Sequence, residues 1–136
     1  MKITICGSIK FMDEMKKIEQ ELEQLGHQVF MSIKAKEVDY WSDNNKSLVE
    51  AKKKYGFIEE HMDKISNSDA ILVVNISKND MENYIGANTF LEIGFAHYKK
   101  KKVFMLNPMP KQSYITDELE TIEPQIINGD LTKITK

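Results

Sequence analysis

Ala70-Ile71-Leu72-Val73-Val74 is an unbroken apolar run. A strand with one wet face alternates apolar and polar residues, so a continuous run suits a central parallel strand covered on both faces. Val103-Phe104-Met105-Leu106 reads the same way, and Ile3-Thr4-Ile5-Cys6 is a shorter β-rich run that ends at Gly7-Ser8. Gln28-Val29-Phe30-Met31 reads as a further strand, and Gln125-Ile126-Ile127 as a last one at an edge.

Helical periodicity fills the intervals. Met12, Met15, Ile18, Leu22 and Leu25 recur at three- and four-residue steps, an apolar stripe that Gly26 stops. Leu48, Ala51, Tyr55, Ile58, Met62 and Ile65 form a second stripe, with Gly56 as a candidate break and Asn67-Ser68 at its end. Ala87 to Tyr98 is a third helix, and Asp117 to Ile122 a short fourth. Polar loops are read at Lys34 to Asn45, which contains Tyr40 and Trp41, and at Ser77 to Asn83. Asn107-Pro108-Met109-Pro110 is a turn, since proline breaks regular structure there. Strands alternating with helices imply right-handed crossovers and an α/β fold. Five strands in this length match the flavodoxin-like, doubly wound parallel sheet of order 2-1-3-4-5. Ligands in such sheets sit beyond the carboxyl ends of the strands, near the switch point between the first and third. Gly7 to Phe11, Asn75 to Asn88 and Asn107 to Pro110 converge there.

Composition narrows the classes. A chain of 136 residues is expected to form one domain, 1–136. It buries roughly 68% of its unfolded surface, enough for one core. The formal net charge of -2 gives no electrostatic case for a nucleic-acid polymer as partner. The single cysteine, Cys6, excludes an internal disulfide and fits a reducing compartment. No run approaches the roughly 20 apolar residues of a membrane span. Met-Lys-Ile-Thr-Ile enters a strand directly without a signal-peptide pattern, so a cytoplasmic protein is expected.

Two of the converging segments carry chemistry. Gly7-Ser8-Ile9-Lys10 joins a strand to a helix start. Glycine there lets backbone approach a ligand, free N–H groups favour an anion, Ser8 adds a hydroxyl and Lys10 a charge. The alternative is a plain tight turn with Ser8 as helix cap. This is neither a Walker loop nor a full G-x-G-x-x-G. Glu92 is the one carboxylate in Ile85-Gly86-Ala87-Asn88-Thr89-Phe90-Leu91-Glu92-Ile93-Gly94-Phe95-Ala96. Burying an unpaired charge is costly, so a carboxylate in such surroundings is either at the helix surface or employed, for instance against an electron-poor carbon. Asn88, Glu92 and Ala96 share one line of that helix, and Gly86 and Ala87 keep the surface low. Gly94 and Ala96 can instead serve close helix packing. No His/Cys group shows metal-ligand spacing, and no cofactor is implied. Cys6 reads as a small apolar core residue.

Gly7-Ser8-Ile9-Lys10 after the first strand, Ser68-Asp69-Ala70 opening the third, and Gly86 to Ala96 with its Glu-x-Gly-x-Ala core together resemble the nucleoside 2-deoxyribosyltransferase superfamily. The order and spacing fit from Lys2 to about Leu106. The resemblance implies a flavodoxin-like fold, a metal-independent enzyme cleaving N-glycosidic bonds, and a covalent glycosyl intermediate on Glu92. It also implies a homodimer or a tetramer built from it, with a polar residue after the fourth strand, Asp117 or Glu118, reaching the neighbour's pocket. Gly86 stands where deoxyribosyltransferases carry a substrate-holding acid, and His61 where they carry a base-contacting acid. A histidine there can donate a proton to the leaving base, or be a simple cation near a helix end. The related 5′-monophosphate N-glycosidases start Gly-Ser-Ile-Arg, and Lys10 matches the charge of that arginine without its bidentate geometry. Tyr40 and Trp41 can stack on a base or form a local lid, Asn75 faces the crevice by topology, and Asp69 is structural at the far end. The expectation is therefore an enzyme acting on a small-molecule nucleoside or nucleoside 5′-monophosphate. The first rival is a nucleotide-binding sensor on the same fold, and the second an interaction protein that leaves Glu92 unexplained.

Overall fold

A computed structural model describes residues 1–31 and 46–136. Tyr40 and Trp41 lie outside them. The elements are β1 (Lys2–Gly7), α1 (Met12–Gln24), β2 (Gln28–Phe30), α2 (Lys46–Tyr55), α3 (Phe57–Ser66), β3 (Ala70–Val74), α4 (Ala87–Tyr98), β4 (Lys102–Met105), α5 (Thr116–Ile122) and β5 (Gln125–Ile126). Short 3-10 turns stand at Ile9–Phe11 and Leu131–Lys133. The five strands form one all-parallel sheet in the order β2-β1-β3-β4-β5, the flavodoxin-like arrangement.

The alternation of β1 decides which layer each side chain joins. Ile3 and Ile5 face one side, with Leu72, Val74 and Phe104, and pack under Met12, Met15 and Leu22 of α1. Thr4 and Cys6 face the other side. Cys6 packs with Ile71, Val73 and Met105 beneath Ile65 of α3 and Ile93 and Ala96 of α4. The Thr4 hydroxyl lies 2.6 Å from the Ser68 hydroxyl, which satisfies two polar groups on this buried face. The register sets Cys6 opposite Val73 and Gly7 opposite Val74. The chain thus leaves β1 and β3 side by side, the switch point where a crevice opens.

Gly56 divides the long second stripe into α2 and α3 by adopting φ 59°, a left-handed conformation that glycine enters without penalty. Leu25, read as part of the α1 stripe, is exposed beyond the helix end. Leu131 and Ile134 complete the core over the α1 face, in a segment where no periodicity predicted an element. Asp69 sits at the amino end of β3 and accepts the Lys2 backbone N–H at 2.7 Å. Among the described residues no helix is long and apolar enough to cross a membrane.

Candidate functional site

A cavity of about 490 Å³ opens at the switch point, walled by the turn Gly7 to Lys10, the start of α4 from Gly86 to Thr89, and residues of α2 and α3. The first wall exists because Gly7 is small. A Cβ there would lie 3.0 Å from Met15 Sδ and 3.1 Å from the Val74 carbonyl oxygen, so a side chain would force Met15 and the β3 backbone to give by a few tenths of an ångström. Ser8 then turns the chain, its Oγ accepting from the Lys10 N–H at 3.4 Å.

The second wall begins at Gly86, which precedes the first turn of α4. Gln112 fixes that approach. Its amide accepts the Ile85 N–H at 2.8 Å and donates to the Ile85 carbonyl at 2.9 Å, as a neighbouring strand would. Sequence reading missed this residue, because a lone glutamine in a polar loop carries no periodic signal.

Glu92 lies one turn beyond Asn88 and is 3% exposed. Asn88 Nδ2 donates to its Oε1 at 3.3 Å. His61 of α3 is 4% exposed and brings Nδ1 to 2.7 Å from the same oxygen. At that distance one of the two atoms must carry a hydrogen, since two lone pairs would repel. The approach is nonetheless out of line with an N–H bond in the ring plane, so it is a close contact, an ion pair only where His61 is protonated, rather than a well-formed hydrogen bond. His61 Nε2 and Glu92 Oε2 are buried without hydrogen-bond partners among the described residues. Cys6 lies on the third side of this pair. Its thiol makes a weak contact with the Thr4 carbonyl at 3.9 Å and also interacts with the Glu92 carboxylate. Burial pushes the thiol pKa well above its ordinary value, and the Glu92 carboxylate pushes it the same way. Cys6, His61 and Glu92 bring their ligand-type atoms within 4.8 Å of one another, a grouping that sequence spacing could not reveal.

Gly7, Ser8, Ile9, Lys10, Gly86, Asn88 and His61 all line the cavity. Glu92 is not on its wall and stands behind His61 and Asn88. The Asn75 amide is committed elsewhere: it donates to the Asn107 and Pro108 carbonyls and accepts the Asn107 N–H, tying the end of β3 to the loop after β4. Asp117 and Glu118 are exposed in the first turn of α5 and do not line this cavity. Trp41 is outside the described residues. The residues that sequence reading did not foresee come chiefly from α2 and α3: Lys52, Phe57, Glu60 and Lys64, joined by Lys78 and Tyr84 from the loop before α4. Lys64 is anchored by Glu60 at 3.0 Å and the Met31 carbonyl at 2.6 Å, and Lys78 lies 4.8 Å from the centre of the Tyr84 ring. Four lysines against one acid on the described wall favour an anionic occupant.

Two solved structures share this architecture. The 2-deoxyribosyltransferase of the psychrotolerant bacterium Bacillus psychrosaccharolyticus matches with a TM-score of 0.58 and 22% identity, over 86% of this chain and 81% of that one. The CMP N-glycosidase BcmB of Clostridium botulinum matches with a TM-score of 0.52 and 16% identity, over 93% of this chain and 86% of that one. At such identities the likeness establishes the common fold. The two are of the kinds that the Gly7-to-Lys10 and Glu92 motifs resemble. No protein-family model matches the chain, and no curated protein matches it in sequence.

Proposed function

We propose that this chain cleaves, or transfers at, the N-glycosidic bond of a nucleoside or nucleoside 5′-monophosphate, with Glu92 as nucleophile. The observation that carries this reading is a buried carboxylate fixed through Oε1 by His61 and Asn88, with Oε2 left without a hydrogen-bond partner among the described residues. Such a group is costly to bury and is the arrangement a carboxylate nucleophile needs. Oε2 attacks the anomeric carbon, the C–N bond breaks, and its electron pair leaves with the base. Protonated His61, on the cavity wall with Nε2 without a hydrogen-bond partner among the described residues, gives the base its proton. Water or a second base then opens the glycosyl ester and returns a proton to His61. Gly7, Ser8, Ile9 and Lys10 receive the 5′ end, and the surrounding lysines favour a phosphate on it. The likeness to a deoxyribosyltransferase and a CMP N-glycosidase supports the same reaction class.

The screening of Glu92 by His61 favours a second reading, a nucleotide-binding sensor that kept the pocket and lost turnover; Gly86 in place of an acid points the same way. Incubation with mixed nucleosides and 5′-monophosphates, followed by mass spectrometry, separates the two. Free base with sugar or sugar phosphate supports the enzyme, intact nucleotide held by the protein supports the sensor, and the absence of both results overturns both readings.

A further inference from the structure

We propose that Cys6, His61 and Glu92 form a binding site for a zinc-class divalent cation, and that the bound ion blocks the carboxylate nucleophile. The blocking half rests on the function proposed above; the binding half does not.

The three side chains come from β1, α3 and α4, so the core itself brings them together. Their candidate ligand atoms lie within 4.8 Å of one another. Ligands of a tetrahedral zinc ion lie roughly 3.3–3.6 Å apart, given bonds of about 2.0–2.3 Å. The longer edges, up to 4.8 Å, must close by as much as about 1 Å and the 2.7 Å edge between His61 and Glu92 must open.

Independent of that proximity, the pair is short of partners. Both His61 nitrogens and Glu92 Oε2 are buried without well-formed hydrogen bonds among the described residues. A cation would satisfy the Glu92 carboxylate and whichever His61 nitrogen ligates it, the other ring nitrogen keeping its hydrogen. Charge decides the ion class: one thiolate, one carboxylate and one neutral imidazole balance a dication, so the loaded site buries no net charge. Thiolate with imidazole selects a borderline-soft metal over magnesium or calcium. On binding, the Cys6 thiol and the His61 nitrogen that ligates each give up a proton where they carry one. The metal replaces that positive charge, which is how a coordinating thiol is deprotonated. Three protein ligands leave a fourth position for water or a cavity ligand. Entry is available through the cavity, since His61 is part of its wall.

The experiment titrates the full chain with zinc alone against a chromophoric chelator, and separately with cobalt(II) alone. One ion per chain and a cobalt–thiolate charge-transfer band are expected. In Cys6→Ala, which removes a ligand and leaves a small apolar residue in the core, zinc affinity should fall at least 10-fold. Absence of zinc binding at micromolar concentration, or cobalt bound without the thiolate band, overturns the site even if Cys6→Ala fails to fold. Undiminished zinc binding by a folded Cys6→Ala overturns it equally. Where base release is detected, it should fall as zinc fills the unaltered protein and stay constant in Cys6→Ala. Zinc bound with release unimpaired overturns the blocking role. Absence of base release in the metal-free protein instead sinks the glycosidase reading, and the zinc titration still stands or falls by itself.

Discussion

At the scale of residues, Glu92 and Lys10 divide the proposed work between bond breaking and recognition. Glu92→Gln keeps the side-chain shape, and His61 can change tautomer to face the new amide, so the fold should survive with a stability loss of at most about 1–3 kcal/mol. Turnover should fall by several orders of magnitude, on the order of 10³–10⁶, because an amide cannot form the glycosyl ester. Chromatography of released base checks this, and a near-normal rate in the Gln variant would sink the covalent route. Lys10 is tested by a cycle. A monophosphate should bind more tightly than its nucleoside, and Lys10→Ala should remove most of the difference, roughly 1.5–3 kcal/mol for a charge-assisted contact. Calorimetry on the four pairs measures the coupling; equal affinity for the two ligands in the unaltered protein rejects this role.

Among the elements, the β1 turn and the start of β3 show where packing is tight and where charge helps. Gly7→Ala forces a methyl against the Val74 carbonyl, which cannot move without disturbing the sheet. A loss of about 1–3 kcal/mol is expected in denaturant unfolding. Gly86→Ala meets only the end of the Tyr84 side chain at 3.3 Å and should cost under about 1 kcal/mol, so equal losses would refute the packing account. Asp69 is held below its ordinary pKa of 3.8, first by the Lys2 N–H and then by nearby amino groups. A depressed carboxylate pKa stabilises the fold above that value and ceases to do so as pH falls through the lower folded value. Asp69→Asn should therefore lower the melting temperature at pH 7, and the gap should close as pH falls from 3.8 through the depressed folded value; a gap that does not change with pH contradicts the linkage. The elements themselves were largely legible. The β3 run and the span Ala87–Tyr98 appear with the bounds their sequence patterns suggested, because burial on both faces and a bracketing polar context leave no competing reading. Leu131 and Ile134 were not legible, since a three-residue turn has no period to detect.

For the whole molecule, the sheet order followed from alternating strands and helices, but the wall of the cavity did not. Periodicity marks which residues of a helix face inward, and Lys52, Glu60 and Lys64 lie off those stripes, so only the assembled fold places them over the crevice. His61, Glu92 and Cys6 meet only because α3 and α4 lie together on one face of β1. The same assembly leaves α4 unevenly covered. Phe90, Leu91, Ile93 and Phe95 run around its circumference, and of its large apolar side chains Leu91 is 56% exposed and Tyr98 81% exposed, with Phe95 half-buried between them at helical spacing. A stripe of this kind is costly in water and suits contact with a second copy, for which a twofold arrangement is the commonest solution. The chain is expected to form a homodimer, or a tetramer built from it, through this face. Leu91→Glu places a charge at its centre and should shift the population toward a 15.8 kDa monomer, while the buried side of α4 keeps the fold. Light scattering at micromolar concentration decides the matter. A monomeric unaltered protein would remove the need for a partner, and a Leu91→Glu variant that stays dimeric would move the interface elsewhere.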